Sequence, residues 1–391
     1  MVLRCKLSHW FLWPLMAIVF AGCAVPVTLP LPLATVNDDL DVASLRMAIG
    51  QSLAYLQKLP PERVVGEQPR LFTAREIQES LTAFDALLGR WPCRDCLARE
   101  IAAHFELIPS STAPQEAEVL FTGYYQPVIE ASLTPGDGFD YPIYAVPADL
   151  VVQDQAGTMV GNGGEKKLGR IEEGVLVPYY SRREIDQLGV LRGRNLEIAW
   201  VKDPIDLFFL HIQGSGLLRL RDGREITVGY AAQSGLPYRS IGRLLIDNGK
   251  VPKEEMSMQR LRRYLTENPA EQDEVFAYNE SYVFYRLING APQGSLGVPV
   301  TAGRSVATDA RLFPRGAPAL VQTDIPIIGA QGELAGWRPV MRFVLNQDTG
   351  GAIRGPQRVD YYFGTGEEAG ALAGYMNRPG RLYFLVLKND R

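Results

Sequence analysis

The stretch QDTGGAIRGPQRVDYYFGTG, residues 347–366, sets two aspartates, Asp348 and Asp360, twelve positions apart among glycines and aromatics. Within it VDYYF alternates. Val359, Tyr361 and Phe363 fall on one face of a strand and Asp360 and Tyr362 on the other, because successive side chains of an extended chain point to opposite faces. The stretch holds no histidine, cysteine or serine, so it offers neither an ordinary triad nor a metal site. It does offer an acid beside an aromatic, a pairing that suits a sugar: the ring stacks on the aromatic face while the carboxyl addresses the glycosidic oxygen. An unshifted Asp, pKa about 3.9, is protonated in about one molecule in a thousand at pH 7, and making it an acid there takes roughly 4 kcal/mol. Burial among aromatics and repulsion from Asp348 both act in that direction.

Outward from this stretch the texture is similar. From Tyr282 onward the chain is β-rich, and from Val119 it carries the strand-like runs VLFTGYYQPVIEA, YPIYAV, LEIAWV, DLFFLHIQG and LLRLRDGREITVGY. The turn clusters TPGDGFD (134–140) and AAQSGLPYRS (231–240) bracket residues 139–230 as an inserted β domain with its own small barrel or sheet. Its clear helix, SRREIDQL, opens on a Ser181–Glu184 capping box. Helices are also expected at 43–58, from Thr73 to Gly89 and at 94–108. The second of these carries a Thr73–Glu76 capping box and sets Ile77, Leu81, Phe84 and Leu88 on one face. In the third, Leu97, Ile101, Phe105 and Ile108 share a face, with His104 on that apolar side as a core histidine. Helical texture returns at 240–249 and at 257–278 with a break at Pro269, and Glu367 and Glu368 start a further helix. GNGG at 161–164 reads as a loop, since no clear strand and helix flank it as a phosphate cradle requires.

The first 22 residues read as an export signal: Arg4 and Lys6, the apolar run WFLWPLMAIVFAG, then small residues before Cys23. FAGC resembles a bacterial lipobox, which makes Cys23 the expected lipid attachment site, and Ala24 after it points to the outer membrane. The Pro-rich VPVTLPLPLA (25–34) follows as a tether. Loss of residues 1–22 removes two basic residues and no acid, taking the formal charge from −4 to −6. Such a balance argues against nucleic acid as a partner, whose phosphates are met by basic surfaces. Cys93 and Cys96 in WPCRDC have no second C-x-x-C and no H-x-x-x-H to complete a zinc site. A structural disulfide is the first reading of this pair and free thiols the second.

The runs FTGYYQPVIEAS (121–132), DLFFLHIQGSGLLRLRDG (206–223), VGYAAQSGLPYRSIGRLLIDNG (228–249), NESYVFYRL (279–287), PVTAGRSVATD (299–309) and QDTGGAIRGPQRVDYYFGTGEEAG (347–370) together resemble the membrane-bound lytic murein transglycosylase A family, in order, from about residue 119 to the end. The resemblance implies a mainly β fold with α: a double-psi β-barrel, barwin-like, built from 24–131 and 240–391 with the amino-terminal helices, and 139–230 as the inserted domain across a deep cleft. It implies cleavage of the β-1,4 bond between N-acetylmuramic acid and N-acetylglucosamine in peptidoglycan, with closure of a 1,6-anhydro ring. Asp360 matches the family's catalytic aspartate, and Asp348 and Asp309 the two supporting acids of its three-aspartate domain. Thr122, Gly123, Tyr124, Tyr125 and Tyr362 are expected to line the cleft, and Gln213 and Ser215 to offer neutral hydrogen bonds to acetamido sugars. Neither metal nor organic cofactor is implied. The expected location is the periplasmic face of the outer membrane, held by the lipid on Cys23, with glycan strands as substrate and cell-wall synthesis proteins as a possible class of partner. Two alternatives are kept: a hydrolase using Asp360 and Asp348 as a pair, and a peptidoglycan-binding lipoprotein without catalysis.

Overall fold

Each amino-terminal helix begins where a side chain can accept its unpaired N–H groups. Asp41 accepts from Ser44 N to open α1 (Val42–Leu56). After a short antiparallel pair, β1 (Val64–Gly66) and β2 (Phe72–Thr73), Thr73 accepts from Glu76 N to open α2 (Ala74–Leu87), whose Ile77, Leu81 and Phe84 are buried. Cys93, bonded to Cys96, opens α3 (Arg94–His104). The structure is a computed structural model that describes residues 38–110, 118–153 and 167–388. The export signal, Cys23, the Pro-rich tether and GNGG lie outside the described residues.

The third helix is shorter than its apolar spacing suggests. It ends at His104, and Phe105–Pro109 forms β3, because these residues complete an antiparallel ladder with the last strand of the chain. His104 is correspondingly on the surface, with its side chain 58% exposed, instead of in the core.

Next come β4 (Val119–Gln126) and β5 (Val128–Ser132), separated only by Pro127, which cannot donate to a ladder. β6 (Tyr141–Tyr144), a three-stranded ribbon of β7 (Val151–Gln153), β8 (Lys167–Glu172) and β9 (Val175–Val177), and α4 (Arg182–Asp186) follow. The Ser181–Glu184 capping box is present at α4. β10 (Glu197–Val201) leads to α5 (Pro204–Gln213), then to the hairpin β11 (Ser215–Leu220) and β12 (Glu225–Gln233).

The run DLFFLHIQG is thus a helix and not a strand. Asp203 accepts from Ile205 N, Pro204 sits in the first turn and Gly214 closes the end in the left-handed conformation. The helix shows no polar face because it is buried on two sides. Leu207 and Leu210 pack on the second sheet, and Ile205, Phe208 and Phe209 pack with Leu245, Leu265 and Phe276 of the helices α6 (Ile241–Asp247), α7 (Met258–Glu267) and α8 (Gln272–Tyr278). β13 (Val283–Ile288) completes the second sheet, whose order is β13-β12-β11-β5-β10-β6. Two of its strands, β5 and β13, lie on either side of residues 139–230.

The carboxyl-terminal segment supplies β14 (Ser305–Ala307), β15 (Pro318–Ile328), β16 (Leu334–Asp348), β17 (Arg358–Thr365), α9 (Glu367–Tyr375) and β18 (Asn377–Leu387). With β4 they form a ring, β15-β16-β14-β17-β4-β18, closed by the pairing of β18 back onto β15, with β3 added outside β18. The result is a mixed α/β architecture around a closed six-stranded barrel. Two of its seams are parallel, β14 with β16 and β17 with β4. Val359 and Tyr361 are fully buried, as the alternation of VDYYF requires.

Candidate active site

Asp360 lies in the middle of β17 and is flanked on both sides. Thr122 of β4 is its parallel partner, and Ala307 of β14 its antiparallel one. Ala307 is in turn the ladder partner of Asp348, the last residue of β16. The two acids therefore stand on strands separated only by β14, their backbones about 10 Å apart by two ladder spacings.

β4 serves both acids through alternate residues. The Thr122 hydroxyl donates to Asp360 Oδ1 in a short hydrogen bond. Two residues on, the Tyr124 hydroxyl donates to Asp348 Oδ2 at 3.0 Å. The Tyr124 ring lies against Tyr362, its ladder partner, with centroids 5.0 Å apart and planes tilted by 41°. Tyr362 is only 3% exposed, so the ring a ligand can reach is that of Tyr124.

The two carboxyls differ in their donors. Asp348 Oδ1 accepts the backbone N–H of Ser295 and of Thr349, both at 2.8 Å, while Oδ2 takes the tyrosine. Burial raises its pKa, and these three donors together with the Ser295 hydroxyl oppose the rise. Asp360 has the Thr122 hydroxyl alone as a hydrogen-bonding side chain, with the Arg358 charge nearby. Burial again raises its pKa, opposed by Thr122 and then Arg358, so the cause of the rise is burial and not repulsion from Asp348. Both acids keep partial access to solvent, so their donors distinguish them. A carboxyl with few donors, a raised pKa and solvent access is the one suited to hold and release a proton.

Asp309 is placed otherwise. It is fully buried and accepts from Arg311 N, the Arg311 guanidinium and Gly355 N. Burial would raise its pKa, but those bonds outweigh it and lower the value to about 2. It ties the 309–313 turn to the loop ahead of β17.

The other expected residues divide by strand alternation. Gly123 faces α9, where a Cβ would lie 2.7 Å from Ala373 Cα and from the Phe363 ring. The Tyr125 ring packs against Gly370 of the same helix, and Tyr125 N donates to Gln213 Oε1 at 3.0 Å. Gln213 therefore spends its carbonyl on joining α5 to β4. Ser215 pairs with Gly229 in the second sheet and is half-buried. The fold thus gathers Thr122, Tyr124, Tyr362, Asp348 and Asp360, and points Gly123, Tyr125 and Asp309 elsewhere.

Three contributors carried no sequence signal as site residues. Ser295 acts through its backbone N–H and its hydroxyl, and Arg358 differs little from any basic residue at a strand end. Tyr238, 41% exposed in the turn cluster before α6, comes within electrostatic reach of Asp360 and Arg358. The second sheet also reaches this region, where Gln233 at the end of β12 approaches Gly351 between the two acids. A surface cavity of about 530 Å³ lined by Thr323, Asp324, Val340, Met341 and Gly380 lies along β15, β16 and β18 and includes neither acid. The site is therefore placed by its donors and acids, not by volume. Among the described residues no three His, Cys, Asp or Glu side chains gather as metal ligands.

The chain is similar to known proteins over most of its length. Residues 120–286 match the family model described as the MltA specific insert domain, and residues 304–386 match the 3D domain. The chain is 36% identical over 276 residues to membrane-bound lytic murein transglycosylase A of Escherichia coli K12, covering 70% of this chain and 67% of that protein. It is 33% identical over 279 residues to the Vibrio cholerae protein of the same name, covering 71% and 67%. Among solved structures, a membrane-bound lytic murein transglycosylase from Agrobacterium tumefaciens superposes with a TM-score of 0.75 at 33% identity, covering 89% of this chain and 93% of that one. E. coli MltA with bound chitohexaose superposes with a TM-score of 0.65 at 28% identity, covering 87% and 89%.

Proposed function

Since the chain belongs to the membrane-bound lytic murein transglycosylase A family and is a lytic transglycosylase, we propose that it cuts the β-1,4 bond between N-acetylmuramic acid and N-acetylglucosamine in peptidoglycan, with Asp360 as the single acid and base. Protonated Asp360 gives its proton to the glycosidic oxygen as the C1–O bond breaks. The resulting carboxylate takes the proton of the C6 hydroxyl, whose oxygen closes on C1 to form the 1,6-anhydro ring and restores the acid. No water enters the product.

The observation that carries this reading is the inequality of the two carboxyls. Both acids keep partial access to solvent, but Asp360 has one hydroxyl donor, whereas Asp348 is held by the backbone N–H of Ser295 and Thr349 and by the Tyr124 and Ser295 hydroxyls. A paired-carboxylate hydrolase would need Asp348 free to activate water or attack carbon. In the proposed reaction Asp348 instead fixes Tyr124, whose ring faces the substrate. The chitohexaose bound by the E. coli protein supports a glycan strand as ligand.

The same reading makes the barrel a double-psi barrel, with 24–131 and 240–391 as the catalytic domain and 139–230 as the insert. The two parallel seams support the first of these. It also makes residues 1–22 a signal peptide and Cys23 the lipidated residue, holding the enzyme at the periplasmic face of the outer membrane. The relatives' description as membrane-bound supports the location.

Digestion of purified sacculi, with wild type and Asp360→Asn side by side, tests the chemistry. Anhydro-muropeptides are expected from the wild type, and at least about a hundredfold loss in the variant. Products one water heavier would mean hydrolysis, and retained digestion by the variant would place the acid elsewhere.

A further inference from the structure

β14 is the shortest strand of the barrel and stands between the two acids, so its register sets their spacing. Three residues of ladder are little to fix a register. Two carboxylates from the segment just ahead of α1 supply the rest, one at each seam.

At the seam with β16, the ladder bond from Leu345 N to Arg304 O (2.7 Å) marks the end of β14. Two residues earlier on β16, Phe343 N donates to Asp38 Oδ2 at 2.9 Å, and Phe343 O accepts from Arg304 Nη1 at 2.8 Å. Asp38 and Arg304, 2.5 Å apart and both buried, thus continue the ladder with side chains where the strand has stopped. Arg304 also donates to Asp41 O and Ser44 Oγ, which fixes it to the start of α1.

At the seam with β17, Asp39 takes a two-pronged contact from Arg342 at 2.6 and 2.8 Å, and a further bond from Arg338. Arg342 donates through its remaining nitrogen to the Tyr361 hydroxyl at 3.0 Å, and that hydroxyl donates to Gly303 O at 2.5 Å. Gly303 N donates to Tyr362 O at 2.8 Å. The residue before Arg304 is therefore gripped on both its backbone groups by the residues that follow Asp360.

We propose that Asp38 and Asp39 are positioning residues of the catalytic centre: they lock β14 against β16 and β17 and so hold Asp348 and Asp360 at their working separation. This rests on the transglycosylase reading above. Neither aspartate touches substrate. They act through Arg304 on one seam and through Arg342, Tyr361 and Gly303 on the other.

Tyr361→Phe is the main test, because it cuts the path at one hydroxyl and leaves every ion pair in place. With soluble uncrosslinked glycan strands, and well below each variant's melting temperature, Tyr361→Phe and Asp39→Asn are each expected to lower kcat about tenfold or more with KM within about twofold, since a displacement of about 1 Å costs up to about a hundredfold. The double variant should lose no more than the worse single one, as both lie on one path, and Asp39→Glu should recover most of the rate. Wild-type kcat in Tyr361→Phe overturns the proposal, as do losses confined to KM or to melting temperature, and so do additive losses in the double variant. If Asp39→Asn does not fold, Tyr361→Phe decides alone. Failure of the transglycosylase reading would show separately, as hydrolytic product from the wild type or activity in Asp360→Asn.

Discussion

Replacing Thr122 with valine removes the hydroxyl that donates to Asp360 while keeping the branched shape that β4 packs. A hydrogen bond to a charged group is worth about 1.5–3 kcal/mol. Because the hydroxyl favours the ionised carboxylate, losing it raises the Asp360 pKa further beyond its already raised value. The sign for catalysis follows. The upper limb of kcat/KM, where the acid loses its proton, moves to higher pH, and the plateau falls because a weaker acid donates less readily. The sign for stability is opposite to that of a salt-bridged carboxylate. Asp360 has a folded pKa above its unfolded value, so its protonated form favours the fold, and the contribution is lost as pH rises through the folded pKa. The valine variant should fall behind the wild type by about 1 kcal/mol at low pH, where the carboxyl is neutral, and by about 1.5–3 kcal/mol once Asp360 is ionised. Initial rates on soluble glycan strands between about pH 4 and pH 8, with urea melts at the two ends, measure both effects. An upper limb that stays in place or moves to lower pH would refute the assignment of Asp360 as the acid tuned by Thr122.

Further outcomes follow from the same geometry. Asp348→Asn leaves Ser295 N and Thr349 N a neutral acceptor and loosens Tyr124, so kcat should fall about ten- to a hundredfold without the complete loss expected at Asp360, read as release of anhydro-muropeptides. The Cys93–Cys96 bridge closes a loop of only four residues, for which chain entropy gives about 2 kcal/mol. A Cys93→Ser, Cys96→Ser variant should therefore melt only a few degrees lower by calorimetry and keep its kcat. Gly123→Ala forces a methyl to within 2.7 Å of α9 backbone and the Phe363 ring, a crowding worth about 1–3 kcal/mol in a denaturant melt.

What could be read from the sequence was whatever is decided within one element. The alternation of VDYYF put Asp360 and Tyr362 on one face, and the same rule applied to FTGYY pairs Thr122 with Tyr124 and turns Gly123 and Tyr125 away. Capping side chains marked α2 and α4 within a residue or two. The failures have a common source in tertiary burial. α5 packs on both sides and shows no helical periodicity, although Asp203, Pro204 and Gly214 mark its ends in the sequence. Phe105–Pro109 carries helix-like spacing but is held extended by a strand almost 280 residues later. The site shows the same limit. Thr122 and Asp360 are 238 positions apart, and Asp39 and Arg342 303 apart, so no local rule could join them.

The order of strands around the barrel also dictates an order in time. Every strand of the second sheet lies between residues 128 and 288, so that sheet has all its members before β14 has left the ribosome. β4, by contrast, pairs only with β17 and β18, more than two hundred residues downstream. Thr122 and Tyr124 then have no acid to bind, and the loop that must close to join β4 with β17 is among the longest in the chain, which makes its closure a late and slow event. Asp360 thus meets Thr122 only when β17 arrives, and the ring around them closes only with β18. A wall-degrading enzyme with this connectivity cannot act while it is still being made.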